Sequence, residues 1–295
     1  MFILSFAIVT DTSANIPTPL AKKLDITVIP FSYFIDGLEH TCLDTEAFDG
    51  KAYYDAIRGG TLVTTSQVTP QRYIEWFSPI LEKGEDILFV GLSSGVSGSY
   101  QSAVMARIQL ASKYPDRDIQ LVDSLGASLG EGLLAIKAAY LRDEGKSLKD
   151  TFYEISDIRD RTCQIFTVDS LEHLRRTGRC SNITAVIGTL LHIKPLLKGN
   201  ETGHIVSFKK VKGRSSAIEA LARLFKEHSI NAENQIIGIS HGDCAKDAEM
   251  LKQLICQHCT PKEIITVCHE PVTGAHVGPG MLALFFEGGD NVRGI

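Results

Sequence analysis

Short apolar segments alternate with amphipathic helical segments along nearly the whole chain, and this alternation limits the possible folds most strongly. The segments at 3–9, 86–91 and 119–123 are short, apolar and bounded by turn residues, as buried strands are. Longer segments with helical periodicity follow such strands, for example at 127–144. Strands that are connected through helices form mainly parallel sheets. We therefore predict an α/β fold with a mainly parallel sheet.

The chain is long enough for two domains, each with its own core, because it has 295 residues. A second series of elements begins with a strand at Cys163 and includes a pair of strands across 194–211. We place the domain boundary near residue 160. The predicted domains are therefore 1–160 and 161–295.

Several local predictions concern shorter stretches of the chain. Residues 44–58 and 183–192 are predicted to be helical. The Gly-rich segment 274–280 is predicted to be a loop, because glycine disfavours regular structure. The tail at 288–295 is also rich in glycine, and we expect it to be mobile.

Charge and composition exclude several classes of function. The net charge of -5 and the pI near 6.0 argue against a nucleic-acid partner, which requires a concentrated basic surface. A short basic cluster at 209–214 is interpreted as a solvated connection. The chain has no apolar run of about 18 residues and no basic, cleavable start, so we expect neither a membrane span nor a secretory signal. The seven irregularly spaced cysteines indicate a cytoplasmic protein with reduced thiols.

Cysteines near the end of the chain raise the question of a zinc site. Cys256, His258 and Cys259 lie close together in the sequence, but a structural zinc site normally has four ligands. Cys244 and Cys268 are the candidates to complete the set, and their spacing matches no usual zinc pattern. We predict no metal site, and zinc stays the alternative.

Four loops rich in glycine and small hydroxyl residues lie where predicted strands lead into helices. They are TDTSANIP (10–17), TTSQVTP (64–70), GLSSGVSGSYQSA (91–103) and VDSLGASLGEG (122–132). In a parallel sheet these loops emerge at the carboxyl ends of the strands, where ligands bind. Hydroxyl groups and helix N-termini bind anions, and Gly98 lets a ligand approach the backbone. We predict a site for one carboxylate or phosphate, although each loop alone is interpretable as a turn or a cap.

The same loops do not match nucleotide-binding motifs. Residues 91–99 lack the GK[ST] ending of a P-loop, so no lysine is supplied for a triphosphate. Gly126, Gly130 and Gly132 do not have the GxGxxG spacing. Another small anion, such as a hydroxy-ketone phosphate, remains an alternative ligand.

A GxSxG motif at 238–242 indicates a different class of function. It follows a predicted strand and precedes a helix, which is the context of the nucleophile elbow in serine hydrolases. Ser240 is then the candidate nucleophile, with His269 or His276 as its base. Only about 55 residues follow Ser240 and no acidic member is evident, so a turn with a capping residue is the simpler interpretation.

Basic residues and a histidine stand out in the second half of the chain. Segment 170–181 carries Arg175 and Arg176 on a short predicted helix. Basic residues on a short helix are most simply interpreted as solvated surface residues. The functional interpretation is that they clamp an anion or dock a partner. His276 lies in the segment 273–280, whose Gly-Pro-Gly run holds the ring at a fixed position.

These segments, taken in order and spacing, resemble the DegV family over nearly the whole chain. The matching segments are VTDTSANIP (9–17), TTSQVTP (64–70), SSGVSGSYQSA (93–103), VDSLGASLGEG (122–132), SLEHLRRTGRCS (170–181), IKPLL (193–197), SHGDC (240–244) and GAHVGPGMLALFF (274–286). The set is specific, whereas no single segment is.

The resemblance implies a fold and a ligand. It implies an N-terminal three-layer α/β/α domain (1–160) with a mainly parallel sheet and a C-terminal two-layer α/β domain (161–295) with a mixed sheet. A long-chain fatty acid is expected as the ligand between the domains, without any other cofactor. The protein would then be a lipid carrier and not an enzyme.

The resemblance also implies roles for particular residues. Thr65 and Ser97 are expected to hold the fatty-acid carboxylate, with the Gly98 N–H as a helper. An ATP-dependent kinase subunit is the expected partner, to which the protein presents the carboxylate for formation of an acyl phosphate.

The ligand entrance or the docking surface for that partner is expected at Arg175, Arg176 and His276. Thr177 stands where the family usually has glycine, and this difference bears on the shape of the docking turn. The other departures from the family pattern remove no group that is expected to hold the ligand.

Overall fold

The computed structural model describes residues 6–180 and 192–295, and most of the helix predicted at 183–192 lies outside these residues. The strands, in chain order, are β1 (Phe6–Asp11), β2 (Ile26–Ile29), β3 (Ser32–Ile35), β4 (Leu38–His40), β5 (Val63–Ser66), β6 (Asp86–Gly91), β7 (Ile119–Asp123), β8 (Thr162–Thr167), β9 (Ile193–Gly199), β10 (Ile205–Lys212), β11 (Ile236–His241), β12 (Glu263–Cys268) and β13 (Leu282–Glu287). The helices are α1 (Thr18–Lys23), α2 (Gly50–Arg58), α3 (Pro70–Glu82), α4 (Ser99–Lys113), α5 (Leu129–Asp143), α6 (Leu148–Arg161), α7 (Glu172–Thr177), α8 (Arg214–His228), α9 (Ala245–Cys256) and α10 (Pro271–Val277).

The chain packs into two compact units. The first comprises the residues up to Phe48 together with Thr64–Arg159. The second comprises Asp49–Val63 together with Asp160–Ile295. Nothing in the sequence pattern indicated that Asp49–Val63 packs with the second unit.

The first unit is built on a parallel sheet with the strand order β2-β1-β6-β7. Ile8, Leu88 and Phe89 of its central strands are completely buried, and each such side chain contributes about 1.5–3 kcal/mol of hydrophobic stabilisation. Helices α1 and α5 pack on this sheet, as do α3 and α4, which also contact each other. A small sheet of β4, β3 and β5 adjoins this arrangement in sequence. The predicted mainly parallel α/β sheet is confirmed.

The second unit contains a mixed sheet with the strand order β10-β9-β8-β13-β11-β12. The pair β11 and β12 is parallel, and the remaining pairs are antiparallel. Helices α8 and α9 pack on each other and on this sheet. Their contact residues form one core with the sheet, including Leu221, Phe225, Leu251, Ile239, Leu284 and Phe286. The predicted mixed sheet is also confirmed.

Two local predictions are corrected at helix starts. The helix predicted from residue 44 begins at Gly50, because the Asp49 side chain accepts the Ala52 N–H at 2.9 Å and caps the helix there. The predicted loop 274–280 is helical up to Val277, since α10 starts earlier, at Pro271. The Glu270 carboxylate caps α10 by accepting the Val272 and Thr273 N–H groups, each at 2.6 Å, so helix capping decides both starts.

The tail, which was predicted to be mobile, is packed into the second unit at Val292 and Arg293. Val292 and Arg293 are each only 3% exposed, and Val292 belongs to the core of the second unit. The Lys198 ammonium donates a hydrogen bond to the Arg293 carbonyl at 2.6 Å. The Val292 side chain and this hydrogen bond thus fix residues 292–293, although the glycines of the tail had indicated a flexible backbone.

Candidate functional site

Three of the four hydroxyl-rich loops meet at one edge of the parallel sheet, where β1, β6 and β7 end. The Ser93 N–H donates to the Gly126 carbonyl at 2.9 Å, which joins the loop after β6 to the loop after β7. The Leu92 N–H points to a carboxylate oxygen of Asp11, at 3.4 Å, at the end of β1. The topology therefore collects these loops as the sequence predicted.

The fourth loop, which follows β5, contacts the start of α4. The Val68 N–H donates to the Ser99 hydroxyl at 3.0 Å. A Cβ added at Gly98 would collide with the Gln67 amide oxygen, so the absence of a side chain at Gly98 allows this approach. The segment that carries Thr65 in β5 and continues into this loop is therefore in direct contact with the loop that carries Ser97, within the first unit.

Ser97 and Gly98 lie at the N-terminus of α4. The Ser97 hydroxyl accepts the Ser99 N–H at 3.2 Å and lies 2.9 Å from the Ser99 hydroxyl oxygen. Ser97 is partly exposed, Gly98 is exposed and Ser99 is fully buried. Thr65 is partly buried in β5. A helix N-terminus attracts anions, so this is where a carboxylate would be stabilised.

Behind this loop cluster the structure contains a buried pair of carboxyl groups. The Ser13 hydroxyl lies 2.5 Å from Asp11 and 2.7 Å from Glu131, and it can donate its single proton to only one of them. Thr10 donates its hydroxyl to Glu131 at 2.9 Å. Burial raises the pKa of Asp11 from 3.8 to about 6. Sequence reasoning missed this pair, although LGEG in the fourth motif carries the second carboxyl.

The arginine-bearing helix α7 packs against the chain segment that follows α10. A Cβ at Gly278 would collide with the His173 ring, and a Cβ at Gly280 would collide with the Asp169 carboxylate. Both glycines also have positive φ angles, +79° and +75°, which other residues adopt only with strain. The Thr177 hydroxyl donates to the His173 carbonyl at 3.0 Å, so the residue that replaces the usual glycine fits within α7.

His276 lies in the last turn of α10, near Arg176 on α7 and Arg179 just after that helix. The pKa of His276 is lowered to about 4, mainly by burial and in addition by the positive charges of Arg179 and Arg176. Arg175 and Arg176 are exposed on α7. The structure therefore brings Arg176 and His276 close together within the second unit, with the imidazole near the guanidinium groups of Arg176 and Arg179.

The GxSxG serine is paired with a histidine but is not accessible. The Thr273 hydroxyl donates to the Glu270 carboxylate at 2.5 Å, so it accepts the His269 Nε2–H at 2.8 Å. The His269 Nδ1 is then the acceptor for the Ser240 hydroxyl at 3.1 Å. Ser240 is fully buried within β11 and His269 is 4% exposed. This network stabilises the N-terminus of α10, and it offers no exposed nucleophile.

Other classes of site find no support in the described part of the chain. All seven cysteines are free thiols. Among residues 6–180 and 192–295, no group of histidine, cysteine and acidic side chains is arranged to hold a metal ion. Within the same residues, no helix combines the length and the apolar character required to cross a bilayer.

Comparison with known proteins identifies the family. The family model described as "Uncharacterised protein, DegV family" matches residues 5–288. A DegV domain-containing protein of Clostridium perfringens is 39% identical over 283 residues, which cover 96% of this chain and 97% of that protein. A DegV domain-containing protein of Streptococcus pyogenes serotype M1 is 34% identical over 286 residues, covering 97% and 99%.

Solved structures agree with this assignment. A DegV family protein of Thermus thermophilus, described by its fatty-acid binding, superposes with a TM-score of 0.85 at 27% identity, covering 96% of this chain and 99% of that one. DegV of Bacillus subtilis, described as a fatty acid binding protein, gives a TM-score of 0.83 at 28% identity, covering 97% and 100%. The matched motifs, the two units and these similarities lead to one conclusion: the chain belongs to the DegV family.

Proposed function

We propose that the protein binds one long-chain fatty acid and holds its carboxylate with the Thr65 and Ser97 hydroxyls and the Gly98 N–H. The observation that carries this proposal is the contact between the Thr65 loop and the Ser97 loop, made by the Val68 N–H and the Ser99 hydroxyl at 3.0 Å. Hydroxyl and amide donors at a helix N-terminus suit a single carboxylate. The descriptions of the T. thermophilus and B. subtilis relatives as fatty-acid-binding proteins support the same ligand.

The physical balance of such a complex is favourable. Burial of an acyl chain contributes about 0.8 kcal/mol per methylene, or about 11 kcal/mol for about fourteen methylenes. The entropy of association and the desolvation of the charged head group oppose this gain. Charge-assisted hydrogen bonds of about 1.5–3 kcal/mol each offset the cost of the head group. The tail therefore provides affinity, and the hydroxyl groups provide orientation.

The proposal extends to a carrier role in the cytoplasm. The bound carboxylate is presented to an ATP-dependent kinase subunit, where a carboxylate oxygen accepts the γ-phosphoryl group of ATP and ADP leaves. Arg175 and Arg176 together with His276 form the docking or entrance surface. The exposure of the two arginines and the proximity of Arg176 to His276 support this role, since exposed guanidinium groups bind acidic partners well. The carrier itself supplies no catalytic residue, and a metal or cofactor has no part in the scheme.

Binding measurements on purified protein test the central claim. Lipid extraction and mass spectrometry are expected to identify a co-purifying long-chain fatty acid. Thr65→Ala and Ser97→Ala are each expected to weaken oleate binding about tenfold or more, since each removes a hydrogen bond to a charged group. Thr64→Ala, at an exposed neighbouring threonine, is the matched control and should bind as the unchanged protein does.

Two results would contradict the proposal. The first is an absence of fatty acid in the extract together with no measurable oleate binding, which would exclude the ligand class. The second is unchanged oleate affinity in both Thr65→Ala and Ser97→Ala, which would exclude the assigned site while leaving the ligand class open.

A further inference from the structure

Ser99 occupies a buried position between the two loops of the proposed carboxylate site. Its hydroxyl oxygen accepts the Val68 N–H at 3.0 Å and lies 2.9 Å from the Ser97 hydroxyl oxygen. Ser99 is completely inaccessible to solvent, so its hydroxyl proton must be donated within the protein. Within the described part of the chain, the Ser97 oxygen is the acceptor in reach. Ser99 therefore donates to Ser97.

The hydrogen bonds that reach Ser97 determine what its own proton can do. The Ser97 oxygen accepts the Ser99 O–H at 2.9 Å and the Ser99 N–H at 3.2 Å. A hydroxyl oxygen has two acceptor positions, and both are then occupied. The Ser97 proton is left for a partner outside this pair, and Ser97 is partly exposed. Ser97 can thus donate to a ligand but has no lone pair left with which to accept from one.

We propose that Ser99 is a positioning residue that holds Ser97 as an obligate hydrogen-bond donor, so that the site accepts ionised carboxylates and rejects head groups that only donate. This inference rests on the proposed function and adds its specificity. The chain of bonds from the Val68 N–H through Ser99 to Ser97 also polarises each successive hydroxyl, which strengthens the last bond to an anion. The neighbouring Gly98 N–H is a donor as well, so both groups favour a negative oxygen.

A pair of ligands with the same tail separates this role from a merely structural one. Oleate is an acceptor at its head group, whereas oleylamine is protonated at neutral pH and only donates. Both are measured by competition against a fluorescent fatty-acid analogue, below their micelle concentrations. In Ser99→Ala, oleate affinity is expected to fall about tenfold while oleylamine affinity stays within twofold, so the oleate preference falls about tenfold. A general loosening of the site would weaken both ligands alike.

Further variants make the test specific. Ser99→Thr keeps the hydroxyl and should restore the oleate preference of the unchanged protein. Ser99→Cys keeps the shape but is a weak donor, so it should lower the preference even if Ser99→Ala does not fold. Ser102→Ala removes another buried serine of the same helix and should leave the preference unchanged.

The outcomes distinguish this inference from the function on which it rests. If Ser97→Ala weakens oleate binding but neither Ser99→Ala nor Ser99→Cys changes the oleate preference, the positioning role of Ser99 is wrong and the binding site stands. If the unchanged protein does not bind oleate, the proposed function is wrong. If Ser97→Ala binds oleate normally, the assigned carboxylate site is wrong, and the role of Ser99 is wrong with it.

Discussion

At the scale of single residues, the buried carboxyl groups of Asp11 and Glu131 are the most unusual feature of the first unit. Both are completely buried, and one serine hydroxyl lies between them. Burial disfavours the charged form of such a pair, and it keeps a proton on Asp11 up to a pH of about 6. The hydrogen bonds of Ser13 to these groups stabilise the turn after β1. A proton that Asp11 takes up is therefore held in the interior of the unit.

The Asp11→Asn variant tests that proton uptake. Because burial raises the pKa of Asp11 from 3.8 to about 6, the folded protein binds more protons than the unfolded chain between these pH values. The contribution of Asp11 to the free energy of unfolding is therefore largest at low pH and falls as the pH rises through this window. Between pH 4 and pH 7, urea unfolding is expected to show Asp11→Asn gaining about 2 kcal/mol relative to the unchanged protein. A difference between the two proteins that does not vary with pH would refute the assignment.

At the scale of elements, two glycines bring helices close to neighbouring segments in different ways. Gly98 precedes α4 and faces the end of the flexible Gln67 side chain. Gly132 lies within α5 and faces the backbone carbonyl of Ala14 in the 3-10 turn Thr12–Ala14. A side chain can move aside, whereas the backbone of a buried turn cannot move without a change in the packing of the helix.

The two alanine variants should therefore differ in stability. Gly132→Ala is expected to lower the free energy of unfolding by about 1–3 kcal/mol, since overpacking outweighs the usual gain from replacing glycine in a helix. Gly98→Ala should change it by less than about 1 kcal/mol, because Gln67 rotates away and the φ of -74° suits alanine. Urea unfolding of both variants under the same conditions decides the matter. Equal stabilities would mean that α5 moves more easily than its packing indicates.

At the scale of the whole molecule, the second unit incorporates a segment from the first half of the chain. The Tyr54 hydroxyl donates to the His269 carbonyl at 3.0 Å, and the Tyr53 hydroxyl donates to the Pro271 carbonyl at 2.6 Å. Arg58 forms an ion pair with Asp243. The tyrosine contacts connect α2 to the start of α10 and the residues before it, and the ion pair connects α2 to the loop between β11 and α9. Together they explain why Asp49–Val63 packs with the second unit.

Tyr54→Phe measures the importance of this connection. Loss of the hydroxyl leaves the buried His269 carbonyl without that donor, and about 1–2 kcal/mol of stability should be lost. Hydrogen exchange is expected to increase in peptides covering β12 and α10 and to remain unchanged in the parallel sheet of the first unit.

The matched control is Tyr73→Phe. Tyr73 is equally buried, but its hydroxyl has no hydrogen-bond partner among the described residues, so the change should be neutral or slightly stabilising. Increased exchange in the first unit of Tyr54→Phe would argue against the assignment of α2 to the second unit.

Much of the candidate site was predictable from local sequence signals. The loop of Ser97 and Gly98 follows an apolar strand and precedes a helix, so its position at a sheet edge followed from the alternation of elements. The contact between that loop and Val68 was not predictable, because it joins segments about thirty residues apart through one hydrogen bond. The sites at Thr65, Ser97 and Gly98 and at Arg175, Arg176 and His276 stay predictions of binding and docking roles.

Hydrophobic periodicity and turn chemistry were sufficient to specify the α/β class, the parallel first sheet and most helices and strands, because they report local burial along the chain. They could not pair Asp11 with Glu131, assign Asp49–Val63 to the second unit or hold the tail through Val292. Those features depend on which distant side chains meet once the elements are packed. Such long-range contacts depend on how the elements pack in three dimensions, and they cannot be read from the linear pattern of polar and apolar residues.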